Sequence, residues 1–249
     1  MTLPKLGCQL LVFSKKFNIE NDIDIILNSV MDAGYAAVEG GTSNAVGYRA
    51  KLDERGLTYA GSHVGLRALL DVRTLVNYCK IVGGYDICNS GLMQWNERSL
   101  DDYLQAIDIL NQAGKSLRGE GIHLHYHHHD FEFDIIDGDK SGMDLLLENL
   151  DPSAVDLCVD VAWVQKGNKN PAAFLAQNQS KISYVHLKDF NDQGWIELGR
   201  GRVDLASVMG VLRQMPQLRS IVAEQEETLL DPRESVAISR SYLRNSYGY

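Results

Sequence analysis

Eight short apolar runs, each followed by a helix-length segment with apolar residues at helical spacing, divide this chain into repeating strand–helix units. Strands are expected at residues 6–13, 36–39, 58–63, 85–89, 122–127, 155–160, 182–187 and 220–224. Helices are expected at 21–33, 43–55, 72–82, 99–118, 142–149, 171–177, 205–215 and 232–244. Gly34, Gly56 and Gly119 stand just past helical runs, where a left-handed residue caps a helix. Asn170-Pro171 and Asp231-Pro232 place proline in the first helical turn behind a capping side chain. Eight such units of roughly 30 residues predict an α/β fold, a (β/α)8 barrel. An open doubly wound sheet shares the alternation, but no G-x-G-x-x-G or P-loop supports it. No linker-like stretch interrupts the chain, so residues 1–249 read as one domain.

The formal net charge of −9 argues against nucleic acid or an anionic membrane as partner. Cys8, Cys79, Cys88 and Cys158 are widely spaced and form no C-x-x-C pair, which predicts reduced thiols in a cytoplasmic setting. The apolar run 6–13 is too short to span a bilayer. Lys15 and Lys16 follow it without a cleavage site, so no signal peptide is read.

In a barrel of this type, chemistry gathers where the strands end. The predicted ends are Glu39, His63, Asn89, His127, Asp160, His186 and Glu224, a strongly polar set. The fifth strand is the richest, with five of the chain's seven histidines at positions 123, 125, 127, 128 and 129. Alternate residues of a strand share a face, so His123, His125, His127 and His129 point one way and His128 the other. His127, Asp160, His186 and Glu224 come from four successive strands and can surround one divalent cation. Two carboxylates would cancel its charge, and mixed nitrogen and oxygen donors suit manganese, iron, cobalt or zinc better than calcium or magnesium. A hydrogen-bonded polar mouth without metal is the alternative.

Several segments carry a resemblance. They are 34–39, 56–66, Tyr126-His127-His128-His129-Asp130-Phe131-Glu132-Phe133, Asp160-Val161-Ala162-Trp163-Val164, His186-Leu187-Lys188-Asp189, Glu197-Leu198-Gly199 and Glu224-Gln225-Glu226. Together, in this order, the chain resembles sugar phosphate isomerase/epimerases of the xylose-isomerase-like (AP endonuclease family 2) TIM barrels. The resemblance implies a metal-dependent TIM barrel acting on a sugar or cyclitol with adjacent carbonyl and hydroxyl groups. The implied cofactor is one divalent ion, manganese first, with cobalt, zinc, iron or magnesium as alternatives. Its implied ligands are His127, Asp160, His186 and Glu224. Many relatives carry glutamate at the first of these positions, and His129 competes with His127 for it. Arg200 stands where an acidic residue is more usual. It either turns the mouth toward an acidic or phosphorylated substrate or is a solvated loop arginine.

The implied chemistry removes a proton next to a metal-bound carbonyl, giving an enediolate. Glu132, His129 and Glu224 are the candidate proton carriers, and Lys188 is a candidate for holding the developing oxyanion. Glu39, His63, His129 and Trp163 are candidate substrate contacts. For His63 a plain loop histidine is an equal reading, and for Trp163 core packing is nearly so. His123, His125 and His128 read as structural. Returning the proton gives an isomerase or epimerase, whereas expelling a β-substituent from an oxidised sugar, glycoside or cyclitol gives a lyase or dehydratase. A DNA-repair endonuclease is disfavoured by the net charge and by Trp163, where the resemblance suggests a nuclease would carry a further metal ligand. A non-catalytic sugar-binding barrel finds little support in so polar a mouth. Pairing of barrels through their outer helices remains open, since no exposed apolar stripe marks it.

Overall fold

The computed structural model describes residues 3–96 and 98–249. In chain order come β1 (Leu6–Gln9), α1 (Ile23–Ala33), β2 (Ala37–Glu39), α2 (Ala45–Glu54), β3 (Thr58–Gly65), α3 (Val72–Val82), β4 (Asp86–Ser90), α4 (Leu100–Gly119) and β5 (His123–His127). A hairpin of β6 (Ile135–Asp137) and β7 (Lys140–Ser141) precedes α5 (Gly142–Asn149). Then follow β8 (Val155–Asp160), α6 (Val161–Lys166), α7 (Pro171–Asn178) and β9 (Ile182–Leu187). A second hairpin, β10 (Asp189–Asn191) with β11 (Gly194–Ile196), leads to α8 (Leu205–Leu212), β12 (Ser220–Ala223) and α9 (Pro232–Tyr247).

Eight of these strands close into a barrel in the order β1-β12-β9-β8-β5-β4-β3-β2, every neighbour parallel. The expected (β/α)8 architecture is therefore present, and the open sheet is not. Alternation along each strand splits the core in two. Outward residues such as Val38, Leu124, Leu157, Val185 and Ile221 are buried against the helices. Inside the barrel, Ala37, Ala60, Cys88, Cys158, Tyr184 and Val222 fill a separate, narrow layer. All four cysteines are free and buried. Among the described residues no helix is long and apolar enough to cross a membrane.

The differences from the sequence reading lie at element ends and in short elements that it did not contain, the two hairpins and α6. The apolar run 6–13 is not one strand. The barrel uses only residues up to Gln9, and Leu10–Phe13 turn into a 3-10 helix that buries Val12 and Phe13. The fourth strand sits one residue later than expected. Asn89 consequently faces away from the lumen and bonds the Val64 carbonyl (3.3 Å), while Ser90 lies opposite His127. After α4 the left-handed residue is Gly121 (φ 77°), because the helix runs through Gly119. Capping was read correctly elsewhere: Asn170 and Asp231 accept backbone N–H bonds ahead of Pro171 and Pro232. The helix α6 was not expected at all.

Candidate metal centre at the barrel mouth

Register brings four ligand-type side chains to one end of the lumen. His127 ends β5 opposite Cys158, Asp160 ends β8 opposite His186, and Glu224 follows β12, whose Val222 pairs with His186. One atom from each of the four lies within 4.8 Å of the others. His127 Nε2 is 3.4 Å from Glu224 Oε2 and 3.9 Å from Asp160 Oδ2, and His186 Nδ1 presses against Glu224 Oε2. All four residues are buried.

Each of the four is held by one polar atom and presents the other. Asp160 caps α6, its Oδ1 accepting from the N–H groups of Ala162 (2.8 Å) and Trp163 (3.0 Å). His186 Nε2 donates to Glu39 (2.8 Å), and Lys188 Nζ donates to Glu224 Oε1 (3.2 Å). His127 Nδ1 lies 3.4 Å from Ser90 Oγ. The opposite atoms, His127 Nε2, Asp160 Oδ2, His186 Nδ1 and Glu224 Oε2, are buried without any hydrogen bond. Close approach without hydrogen-bond geometry leaves even the His186–Glu224 contact unsatisfied. Buried polar atoms are rarely left this way, and here four of them converge on one point. The donor set fits a divalent cation.

The shell behind these atoms is acidic. Glu39 is fully buried and accepts from Gln9 (2.9 Å), Tyr184 (2.7 Å) and His186, with His63 Nδ1 3.3 Å away. Burial opposes its charge, but His186 and His63 hold its carboxyl well below the ordinary value. Burial likewise opposes a charged Glu224, and Lys188 and His186 override it. Burial works against a proton on His127, yet the Asp160 and Glu224 carboxylates push that imidazole up to about 10. Without a cation, the centre draws protons onto its histidines.

Of the remaining sequence candidates, His63, His129, Trp163 and Glu39 line a cavity of about 620 Å³ directly above this centre, together with His127 and Glu224. His129 is outside the four-atom cluster. Its ring stacks on Phe131 (5.3 Å) and meets Trp95 and Trp163 edge-on, while burial and the neighbouring His127 lower its pKa to about 2. His127 is thus the residue that geometry groups with Asp160. Glu39 touches the cavity but has both oxygens on protein donors.

Two expectations need correction. Glu132 is not at the cavity. It lies on the 3-10 turn Phe131–Phe133, fully buried, accepting from Tyr126 OH (2.8 Å) and the His129 N–H (2.7 Å). Tyr126 faces out of the barrel, so this carboxylate braces the turn after β5; burial raises its pKa to about 7. Lys188 also does not reach the cavity surface. Its ammonium is enclosed by Glu224, Glu226 (2.5 Å) and Asp160 (3.8 Å), balancing charge behind the site. Arg200 pairs with Glu197 (3.4 Å) beside a separate groove.

His123, His125 and His128 do not line the cavity. His125 bonds Asp86 (2.8 Å) deep in the lumen, His123 lies by Arg118 near the strand starts, and His128 packs outward on Phe133 and Phe174. Sequence reasoning missed Gln9, Ser90, Trp95 and Glu226, all of which line the cavity. Gln9, the one polar residue in the run 6–13, and Glu226, two residues beyond Glu224, carried readable signals. Trp95 sits in an aperiodic loop and carried none.

Comparison with known proteins agrees with this architecture. A search of curated proteins gives no match. Among solved structures, a sugar phosphate isomerase/epimerase from Parabacteroides distasonis superposes with a TM-score of 0.80 at 22% identity, over 99% of this chain and 96% of that one. A D-allulose 3-epimerase from Methylomonas sp. in complex with D-allulose gives 0.78 at 15% identity, over 99% and 98%. An IolI protein with a bound zinc atom gives 0.76 at 13% identity, over 97% of each chain. The model of the xylose isomerase-like TIM barrel family matches residues 30–246. The chain belongs to that family.

Proposed function

We propose that this protein is a metal-dependent isomerase or epimerase of a sugar or cyclitol with adjacent carbonyl and hydroxyl groups. The observation that carries the reading is the convergence of four buried, unbonded ligand atoms from His127, Asp160, His186 and Glu224 beneath an open cavity. Relatives in fold that are sugar epimerases, one holding its sugar and another protein holding zinc, support it. These four side chains would hold the ion, manganese first, with cobalt, zinc, iron or magnesium also compatible with the donors. When bound, such an ion polarises a carbonyl and offsets negative charge developing on its oxygen.

The chain's own residues supply the rest. Glu39 fixes the His186 ring so that Nδ1 faces inward, the arrangement by which carboxylates orient metal-bound imidazoles. Glu224 and Glu226 are the carboxylates next to the cavity that are not enclosed by protein donors on both oxygens. One of them takes the proton from the carbon beside the carbonyl; isomerisation returns it to the neighbouring carbon, whereas epimerisation needs the other to deliver a proton to the opposite face of the same carbon. His63 and His129 line the wall where hydroxyl groups would bind.

Elimination is a second reading, favoured by one observation: the cavity has room for a leaving group beyond a single sugar ring. Keto-sugars incubated with the manganese-loaded protein in deuterated water separate the two. Deuterium uptake with the carbon skeleton and substituents intact supports isomerisation, and loss of water or an aglycone supports elimination. Absence of both reactions across ketohexoses, ketopentoses and inososes contradicts the assignment.

A further inference from the structure

The cavity above the four-residue centre has two unlike halves. Its floor is carboxylate and imidazole, whereas its walls are apolar: Leu10, Leu11 and Ile19 on one side, Trp95 and Trp163 flanking His129 on the other. Leu11 and Trp95 are 46% and 53% exposed, an apolar surface at the rim that water would otherwise cover. The volume of about 620 Å³ falls mid-range for sites that enclose drug-sized ligands, roughly 300–1,000 Å³. A lone monosaccharide on the floor leaves the aromatic wall unused.

Charge narrows the ligand further. Among the described residues, none lining the cavity is lysine or arginine, while Glu39, Glu224 and Glu226 all do line it. The nearby cations are committed elsewhere. Lys188 is enclosed by Glu224 and Glu226, and Lys166 lies over the rings of Trp195 (5.0 Å) and Phe190 (5.1 Å). Arg98 stacks on Phe131 (3.7 Å), and Arg200 is paired with Glu197. Asp160 and Glu224 would already offset the charge of an ion held there, and Glu39 and Glu226 add further negative charge, so a phosphate or carboxylate entering the cavity would lose water without gaining a cationic side chain as partner.

We infer that the substrate is an uncharged sugar or cyclitol bearing an apolar, aromatic-sized substituent. Its polyol part meets the floor and its substituent meets the Trp95–His129–Trp163 wall. This rests on the floor being the polyol site argued above. All three tryptophans of the chain, Trp95, Trp163 and Trp195, cluster at this mouth, so intrinsic fluorescence reports on it directly.

The test is a fluorescence titration of the manganese-loaded protein with phenyl 3-keto-β-D-glucopyranoside, methyl 3-keto-β-D-glucopyranoside and fructose 6-phosphate, each of which offers a carbonyl beside a hydroxyl. The phenyl glycoside is expected to bind about tenfold or more tighter than the methyl glycoside, the scale of one added aromatic pair with its buried area. The phosphate is expected to bind weakest. Trp95→Ala, at a half-exposed loop position, should narrow the phenyl preference at least threefold. Equal affinities, binding of neither glycoside, tightest binding of the phosphate, or an undiminished preference in Trp95→Ala overturns the inference. Metal content measured on the same samples decides the earlier reading separately. Full occupancy with no phenyl preference removes only the substituent, whereas a protein that takes up no metal removes the metal-dependent assignment.

Discussion

Glu39 does its work one layer behind the centre, by bonding His186 Nε2 and leaving Nδ1 free. Glu39→Gln should therefore weaken metal affinity by about 10–100-fold, the usual cost of losing such a support. A competitive chelator titration measures it, and unchanged affinity contradicts the role. Glu132 makes the opposite case. Glu132→Gln should lower stability by about 1–3 kcal/mol, because Tyr126 OH and the His129 N–H no longer share a carboxylate. Turnover should fall by only a few-fold; a general base would cost about 10²–10⁴. Denaturant unfolding and steady-state rates on one variant decide between them. The centre also predicts a pH dependence. With its pKa raised from 6.5 to about 10, His127 carries a proton at neutral pH in the metal-free protein, stabilising it fully below 6.5 and losing that contribution as pH rises toward 10. His186 is likewise raised well above the ordinary value, so a metal must displace a proton from each imidazole, and affinity should rise by more than tenfold, up to about a hundredfold, per pH unit near neutrality, with proton release visible in calorimetry. A flat profile contradicts it. Strand alternation made His127, Asp160, His186 and Glu224 legible in the sequence, since all four lie on or directly beyond barrel strands. It failed for Glu132 because the chain leaves the strand at His127, and past that point alternation no longer tells which way a side chain faces.

The elements that shape the mouth are short, and shortness hid them. The helix α6 has six residues and starts directly after Asp160 with no break in the apolar pattern, so one residue serves both as helix cap and as candidate ligand. The hairpin of β10 and β11 is three residues a side, below the length at which period-2 alternation is readable. It is tied down by Asp189, whose carboxylate accepts from the backbone N–H groups of Phe190, Gly199, Gly201 and Val203. This clamp sets Trp195 against Trp163 (4.7 Å) and over Lys188 (4.0 Å). Asp189→Ala should leave the barrel folded but loosen residues 189–203. Hydrogen exchange there should speed up by an order of magnitude or more, about 1.4 kcal/mol or more of lost local protection, while β5 and β8 stay protected. Uniform acceleration, or none, contradicts a local clamp. The eight barrel strands were legible because each is a short run with apolar residues at least on its outward face, followed by a segment with helical spacing. The ends at Glu39, His127, Asp160 and Leu187 were legible as well, whereas the end of β1 was not, because its apolar run continues past Gln9 into a buried 3-10 turn.

Closure of the barrel turns scattered positions into one site. The strands β5, β8, β9 and β12 are consecutive neighbours around the barrel, so residues nearly a hundred positions apart present their ligand atoms within 4.8 Å. The same closure sets the apolar wall over an acidic floor and keeps the cations behind it. Periodicity predicted this arrangement at the level of architecture, and the order of the strand ends predicted which residues would meet. Part of the cavity wall was legible, His63 on β3 and Trp163 after Asp160, but Trp95 comes from a loop, where no period exists to read. The central claim is that four side chains from four adjacent strands hold one metal ion, with His127 rather than His129 among them. Elemental analysis of the purified protein, His127→Ala and His129→Ala tests it most directly. One equivalent of metal is expected in the parent protein and in His129→Ala, and well under half in a folded His127→Ala. Full metal in His127→Ala, or loss confined to His129→Ala, would contradict the account.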